Sequence, residues 1–404
     1  MNNSLKDMNN GGLGNIPRPT EDRLDKRKKK PSTLKYVLTM IAYLGIAVFV
    51  MFLGTALYVW VDEKISESAT EAALSTNIAE QLNVTAIYSQ DQVDEMIEEA
   101  LRSSEMSGDG ITEKELEEKV SQAEADKENE ILGGIKTSLL DGNTMVETLR
   151  PYYPDDIVVV SNGEFHFVPI NDELEKNTYE QEKLQVLESG EYQYVEDGNV
   201  VSHKGIDVSS HQGSIDWQKV ADDGVEFAFI RTALRGYGTG KLVEDEYCED
   251  NVKGAADAGI HVGLYIFSQA VNEEELLEEA NLIIDKAKEC GVDGPLVIDV
   301  EKVTSSSARM NALSVEERTQ LVLLFCQTVE NAGYKPMIYH NTEMGALMID
   351  VAELEAYDKW YASYAETMFY PYQYDIWQYS SKGTVDGIST DVDLNISFTE
   401  FWNE

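Results

Sequence analysis

The chain has 404 residues, 74 of them acidic and 32 basic, and its formal net charge at pH 7 is −42. This length exceeds one ordinary domain, and the negative charge repels nucleic-acid phosphates, so nucleic acid is excluded as a partner. The three cysteines, Cys248, Cys290 and Cys326, are too few for a disulfide framework. One pair could bridge, leaving at least one thiol free, and no Cys/His cluster predicts a metal site.

The N-terminal part of the chain has the pattern of a membrane anchor. Residues 1–35 carry nine Lys or Arg against four Asp or Glu, and residues 36–61 contain no charged side chain. As a helix, the uncharged run would reach about 39 Å and span a ~30 Å hydrocarbon core with some tilt. The basic side is expected to face the cytoplasm, which makes residues 1–35 a cytoplasmic tail and puts the C-terminal part outside. An uncleaved signal anchor is favoured, and a removed signal peptide is the alternative.

Two segments follow the predicted membrane span. Residues 62–150 are acidic with helical spacing, and they are predicted to form a stalk of helices broken at Gly108-Asp109-Gly110 and at Gly133-Gly134. Residues 151–203 predict a small β-rich module, because short β-branched and aromatic runs alternate with the turn signals Asn162-Gly163 and Asp197-Gly198. No motif within residues 63–200 identifies a protein partner.

Residues 204–404 alternate strand-like and helix-like segments, which is typical of a parallel α/β sheet. The pattern predicts an irregular (β/α) barrel resembling a TIM barrel, with about five β/α units followed by three closely joined strands. Helices are expected at about 216–223, 247–258, 272–290 and 314–332. The eight predicted strands are 205–209, 227–232, 261–267, 296–301, 336–340, 359–363, 375–379 and 392–396.

The fourth predicted strand ends in two carboxylates. Asp299 and Glu301 lie two positions apart after an apolar, β-branched run. Side chains at this spacing share one face of a strand, roughly 6–7 Å apart. Paired carboxylates at the end of a buried strand are costly as structure alone, but they are what acid-catalysed glycosidic cleavage requires.

Further polar and aromatic residues stand near the ends of the other predicted strands, where barrel enzymes build their active sites. Aromatic faces can stack on sugar rings, while carboxylates and amides bind hydroxyl groups, so together they predict a sugar-binding cleft. These residues are Asp207, Tyr265, Tyr339, Trp377, Gln378, Tyr379 and Asp393.

Six segments from residue 205 to the C-terminus resemble glycoside hydrolase family 25, the Chalaropsis-type lysozymes. They are GIDVSSHQGSIDW (205–217), FAFIRT (227–232), AGIHVGLYIFSQA (258–270), PLVIDVE (295–301), AGYKPMIYHN (332–341) and WQYSSKGTVDGISTDVDLN (377–395). The resemblance implies hydrolysis of the β-1,4 bond between N-acetylmuramic acid and N-acetylglucosamine in peptidoglycan, without a cofactor. It also implies that Glu301 is the general acid, that Asp299, Asp207 and Asp393 complete the catalytic set, and that Tyr265, Tyr339 and Trp377 line the glycan cleft.

The expected function is therefore that of an N-acetylmuramidase which remodels the cell wall, anchored at the outer face of the membrane of a Gram-positive bacterium. A catalytically silent peptidoglycan-binding scaffold is the alternative. Asp299 could orient the substrate's own N-acetyl group as nucleophile, and attack by a carboxylate or by a carboxylate-activated water also stays open.

Overall fold

The computed structural model describes residues 113–402. The chain divides into two compact units, residues 1–124 and 125–404. The described part of the first unit, residues 113–124, is helical, and it belongs to helix α1 (Glu113–Leu140). The predicted cytoplasmic tail (1–35), membrane span (36–61) and first part of the stalk lie outside the described residues. Within residues 113–402, no helix combines the length and apolar content that crossing a membrane requires.

The second unit contains a closed barrel built from the alternating segments that the sequence predicts. Its eight strands are β6 (His203–Val208), β7 (Phe227–Arg235), β9 (His261–Ser268), β10 (Leu296–Val300), β11 (Pro336–Asn341), β12 (Asp358–Ala362), β13 (Ile376–Gly383) and β14 (Val392–Ser397). A short ninth strand, β8 (Leu242–Glu244), pairs with β7 and was not predicted. Pairing of β6 with both β7 and β14 closes the barrel.

Helices cover the outside of the barrel where the sequence places them. They are α3 (Trp217–Asp222), α4 (Cys248–Asp257), α5 (Glu273–Cys290), α6 (Val315–Asn331) and the additional short helix α7 (Thr342–Leu347). Asn272 and Ser314 cap α5 and α6 by accepting a backbone N–H, and Gly291 ends α5 in the left-handed conformation. The largest hydrophobic cluster lies between this helical layer and the sheet, while aromatic side chains such as Phe229 and Trp360 fill the barrel interior.

The last strand departs from the predicted parallel sheet. Seven of the eight barrel strands run in the same direction, but β14 is antiparallel to its two neighbours, β13 and β6. The connection between β13 and β14 is too short to carry a helix back across the barrel, and parallel strands require such a crossover. The amino end of β14 therefore meets the carboxyl ends of the other strands, which brings Asp393 to the same rim as Asp207.

The β-rich module predicted at 151–203 forms two small sheets. A hairpin pairs β1 (Asp156–Ser161) with β2 (Glu164–Pro169), and a second sheet contains β3 (Leu184–Val186), β4 (Tyr192–Glu196) and β5 (Asn199–Val200). Both predicted turns are confirmed, because Asn162-Gly163 and Asp197-Gly198 have positive φ angles at both residues, as type I′ hairpins need.

The sequence predicts a helix break at Gly133-Gly134, but the structure shows none there. Helix α1 continues through Gly133 and Gly134 to Leu140, and a second helix, α2 (Met145–Leu149), follows it. A Cβ atom on Gly134 would collide with the Tyr152 hydroxyl, which donates to the Ile131 carbonyl at 3.2 Å. The glycine therefore allows a close side-chain approach, a packing role that outweighs its low helix propensity of about 1 kcal/mol.

The three cysteines are free, so the pairing left open by the sequence does not occur in the structure. Cys248 and Cys326 are buried, and burial raises the pKa of each thiol to about 12. Both act as small core side chains.

Candidate active site

Four carboxylates surround one cavity at the barrel rim formed by the carboxyl ends of the parallel strands and the amino end of β14. The cavity has a volume of about 620 Å³, within the usual range for ligand sites. Its lining includes the predicted residues Asp207, Tyr265, Asp299, Glu301, Tyr339, Gln378 and Asp393. Seven of the nine residues proposed from the sequence therefore meet here.

Asp299 is the most isolated of the four carboxyl groups. It is 7% exposed and, among the residues that the structure describes, nothing donates a hydrogen bond to its Oδ1. Burial raises the pKa of Asp299 well above its usual range, and the Glu301 charge raises it further, while Arg231 opposes the shift. An unpaired buried acceptor is costly, so this oxygen is suited to receive a donor from a bound ligand.

Glu301 follows β10 and faces the same cavity. Burial raises its pKa above the ordinary 4.5, and the nearby Tyr339 hydroxyl partly offsets that shift. The Gln269 side chain donates to the Glu301 main-chain carbonyl at 3.0 Å, which fixes the backbone of this residue. A carboxyl group with a raised pKa retains its proton closer to neutral pH, as a general acid must.

Asp207 accepts hydrogen bonds from two side-chain amides, and the orientation of one of them is fixed by Trp360. The Trp360 indole N–H donates to Asn395 Oδ1 at 2.8 Å, and Asn395 Nδ2 donates to Asp207 Oδ2 at 2.9 Å. Gln378 Nε2 donates to the same Asp207 oxygen at 2.9 Å. Because an indole can only donate, Asn395 must turn its amide nitrogen toward Asp207. These amides stabilise the ionised form, whereas burial and the nearby Asp393 raise the pKa of Asp207.

Asp393 pairs in register with Asp207 across the β14–β6 ladder. Burial raises the pKa of Asp393 to about 6. Asp393 reaches the rim that carries Asp207 because β14 is antiparallel to β6.

The tyrosines at the cavity connect these groups. The Tyr339 and Tyr364 hydroxyls donate to Gln378 Oε1 at 2.8 and 3.0 Å, which extends the donor chain from Asp207 to the residues beside Glu301. Tyr265 is 9% exposed, and its ring packs edge-on against Trp360 with ring centroids 6.0 Å apart.

Two residues expected at the glycan cleft lie elsewhere. Trp377 and Tyr379 flank Gln378 on β13, so their side chains point to the outer face of the barrel when Gln378 points inward. Tyr379 stacks on Tyr192 of the β-rich module with ring centroids 4.5 Å apart, and Trp377 donates its indole N–H to the Ser363 carbonyl at 2.8 Å. The structure gives both a packing role between barrel and module.

Several cavity residues were missed by sequence reasoning. Trp360 lies on a strand that was predicted correctly. The alternation of side chains along that strand does not show which face of the strand points into the barrel. Tyr364 and Tyr237 are on loops, 58% and 43% exposed, and no spacing signal marks them. His211 and Arg231 also line the cavity and stand inside motifs used for the family resemblance.

The arrangement can donate a proton and bind a neutral polar ligand. A protonated Glu301 can deliver its proton to a leaving-group oxygen, while the ionised carboxylates stabilise developing positive charge. Within residues 113–402, no group of three or more His, Cys, Asp or Glu side chains is placed to hold a metal ion.

Comparison with known proteins points to the same chemistry. Glycosyl hydrolases family 25 matches residues 206–388, a segment that contains Asp207, Asp299 and Glu301 and ends before Asp393. The uncharacterised protein YegX of Escherichia coli K12 is 32% identical over 206 residues, covering 48% of this chain and 68% of YegX.

Two named lysozymes match the same part of the chain. The autolytic lysozyme of Clostridium acetobutylicum is 28% identical over 195 residues, covering 48% of this chain and 55% of that protein. Lysozyme M1 of Streptomyces globisporus is 27% identical over 201 residues, covering 48% of this chain and 66% of that protein. The aligned region thus spans a little over half to two thirds of these relatives. This chain belongs to glycosyl hydrolase family 25 and is a glycoside hydrolase of the lysozyme class.

Proposed function

We propose that the protein is a peptidoglycan hydrolase, a 1,4-β-N-acetylmuramidase that cleaves the bond between N-acetylmuramic acid and N-acetylglucosamine. The observation that carries this proposal is that buried Asp299 and partly buried Glu301 line one cavity, with pKa values raised by burial. The two lysozymes among its relatives support the substrate class.

In the proposed first step, Glu301 protonates the glycosidic oxygen as the bond from the sugar's anomeric carbon breaks. Asp299 Oδ1, which has no donor among the described residues, accepts the N–H of the substrate's acetamido group. That contact orients the acetamido carbonyl oxygen to bond to the anomeric carbon. Water then attacks the anomeric carbon, the ionised Glu301 takes the water's proton, and the acetamido group is restored.

Two other routes are separated by the stereochemistry of the product. Direct attack by a carboxylate also retains the anomeric configuration but leaves a covalent enzyme adduct, whereas a carboxylate-activated water inverts it. Proton NMR of the first-formed anomer should show retention, and intact-mass measurement should show no adduct. An inverted product would exclude the acetamido route.

The location of the activity is a separate proposal. The uncharged run 36–61, with basic residues before it and Asp62 and Glu63 after it, supports a single-pass anchor with the barrel at the outer face of the membrane. Such an anchor would restrict cleavage to nearby wall. Protease added to intact protoplasts should remove the barrel, and protection of the barrel until lysis would contradict this orientation.

The bond that is cleaved can be identified from the products. The full chain in detergent is incubated with purified peptidoglycan, the products are reduced with borohydride, and the reduced ends are identified by mass spectrometry. We expect reduced muramic acid. Reduced glucosamine would show the opposite bond specificity, and binding to peptidoglycan without new reducing ends would establish the scaffold alternative.

A further inference from the structure

Lys302 directly follows the proposed general acid and extends away from the cavity to the β1–β2 hairpin. Its Nζ donates to Ser161 Oγ and to Asn162 Oδ1, both at 2.9 Å, and to Glu343 Oε1 at 2.6 Å. The Lys302 side chain is 10% exposed, so an ammonium group largely removed from water depends on these three acceptors.

The hairpin that supplies two of these acceptors lies outside the segment matched by the family, residues 206–388. Its type I′ turn places Asn162 and Gly163 at φ angles of 52° and 84°. Ile157 and Val159 are buried, and Ser161 is 6% exposed. The acceptors are thus carried on a hairpin whose first strand is packed on one face.

The backbone that directly follows the Glu301 side chain is held by two attachments. Gln269 on the loop after β9 donates to the Glu301 carbonyl, and the next residue is tied to the hairpin and to helix α7. The catalytic carboxyl group is carried on the Cα atom of Glu301, directly before these two attachments.

We propose that the β1–β2 hairpin is part of the catalytic unit and that Lys302 is a positioning residue, which holds Glu301 in place by binding Ser161 and Asn162. This inference rests on the proposed function only where it concerns hydrolysis. A misplacement of about 1 Å can cost 10²-fold in rate, so loosening this attachment should lower kcat more than it changes substrate binding.

A second lysine offers a matched control at the opposite end of the barrel. Lys204, near the amino end of β6, also makes three bonds, to Glu191 Oε1 at 2.6 Å, Asp223 O at 3.0 Å and Asp223 Oδ2 at 2.9 Å. Its bond to Glu191 joins the second small sheet to the barrel. A Lys204→Met variant therefore loses a comparable attachment without disturbing the catalytic rim.

The test compares full-length Lys302→Met, Lys302→Arg and Lys204→Met in peptidoglycan hydrolysis, with Tm measured for each. We expect Lys302→Met to lower kcat about 10–100-fold with KM within about twofold. Lys302→Arg should recover most of that loss, and Lys204→Met should keep kcat within about twofold of wild type. Equal kcat in all variants, or equal losses in the two methionine variants, would overturn the proposal.

Two further measurements test the role of Lys302 if Lys302→Met does not fold or if the wild type shows no activity. If Lys302→Met does not fold, the double variant Ser161→Ala/Asn162→Gly removes the hairpin acceptors and should reproduce the kcat loss. If the wild type hydrolyses nothing, the proposed function fails, and amide hydrogen exchange over residues 299–305 decides the positioning role. Exchange there should accelerate at least about tenfold in Lys302→Met and stay unchanged in Lys204→Met, and no acceleration would refute it.

Discussion

The pKa of Glu301 reflects opposing influences, one of which can be removed by mutation. Burial raises this pKa, the nearby Tyr339 hydroxyl lowers it, and the charge of Asp393 raises it. A general acid works in its protonated form, so activity must fall as pH rises through the pKa of Glu301. The pH profile of kcat/KM therefore reports on this residue directly.

Tyr339→Phe should move the basic limb of that profile to higher pH. Without the hydroxyl, burial acts on Glu301 unopposed and its pKa rises, so the acid stays protonated over a wider range. We expect this shift together with a lower maximal rate, measured by initial rates from pH 4 to 9. A shift toward lower pH would show that Tyr339 does not act on Glu301 in this way.

Two tryptophans of equal burial should respond differently to the same change. Trp360 and Trp377 are each 1% exposed, but only Trp360 orients Asn395 toward Asp207. Trp360→Phe should lower kcat/KM about 10-fold or more through that network. Trp377→Phe should lower Tm by several degrees and leave kcat/KM within about twofold. Equal effects on kcat/KM would contradict the division between cavity and outer face.

At the scale of elements, the strand-and-helix order of the barrel could be predicted because its strands are short apolar runs between amphipathic helices. The direction of β14 could not, since a strand has the same pattern in either direction. The inward face of β13 was also hidden, because Trp377 and Gln378 are both buried. Gly134 illustrates the same limit, since its role depends on Tyr152, 18 residues later in the sequence.

The β-rich module is attached to the barrel through aromatic contacts centred on Tyr179. Its ring stacks on Phe398 with centroids 3.8 Å apart, and its hydroxyl donates to the Tyr374 carbonyl at 2.9 Å. These contacts indicate that module and barrel unfold together.

Tyr179→Ala should remove about 2–4 kcal/mol from the free energy of unfolding, because it deletes a large half-buried ring and a hydrogen bond. Tyr153→Ala, at a ring 38% exposed, should cost about 1 kcal/mol or less and serves as control. Urea denaturation followed by tryptophan fluorescence measures both. Similar small losses in the two variants would mean that the module contributes little to barrel stability.

At the scale of the whole molecule, buried acids link stability to pH. Burial raises the pKa of Asp375 and Asp393 to about 6 and that of Glu279 to about 7. Between their ordinary values and these, the folded chain binds more protons than the unfolded chain, so stability falls as pH rises. Burial lowers the pKa of His340 from its ordinary 6.5 to about 4. Between these values His340 makes stability rise with pH, but this single group is outweighed by the three acids.

We therefore expect a Tm several degrees higher at pH 5.5 than at pH 7.5, since about 1 kcal/mol shifts Tm by roughly 2–4 °C in a domain of this size. Scanning calorimetry at fixed ionic strength measures this, and Glu279→Gln should reduce the difference. A Tm that rises between pH 5.5 and 7.5 would contradict the assignment of these groups.

The proposed function assigns the cavity carboxyl Glu301 as the acid that cleaves peptidoglycan. The most direct measurement is kcat of the full-length Glu301→Gln variant on purified peptidoglycan, with Glu188→Gln, an exposed acid between β3 and β4, as control. Glutamine keeps the size of the side chain but cannot supply the proton, so kcat should fall about 10³-fold with Tm within a few degrees of wild type. A Glu301→Gln variant that retains kcat within about tenfold of wild type would contradict the account.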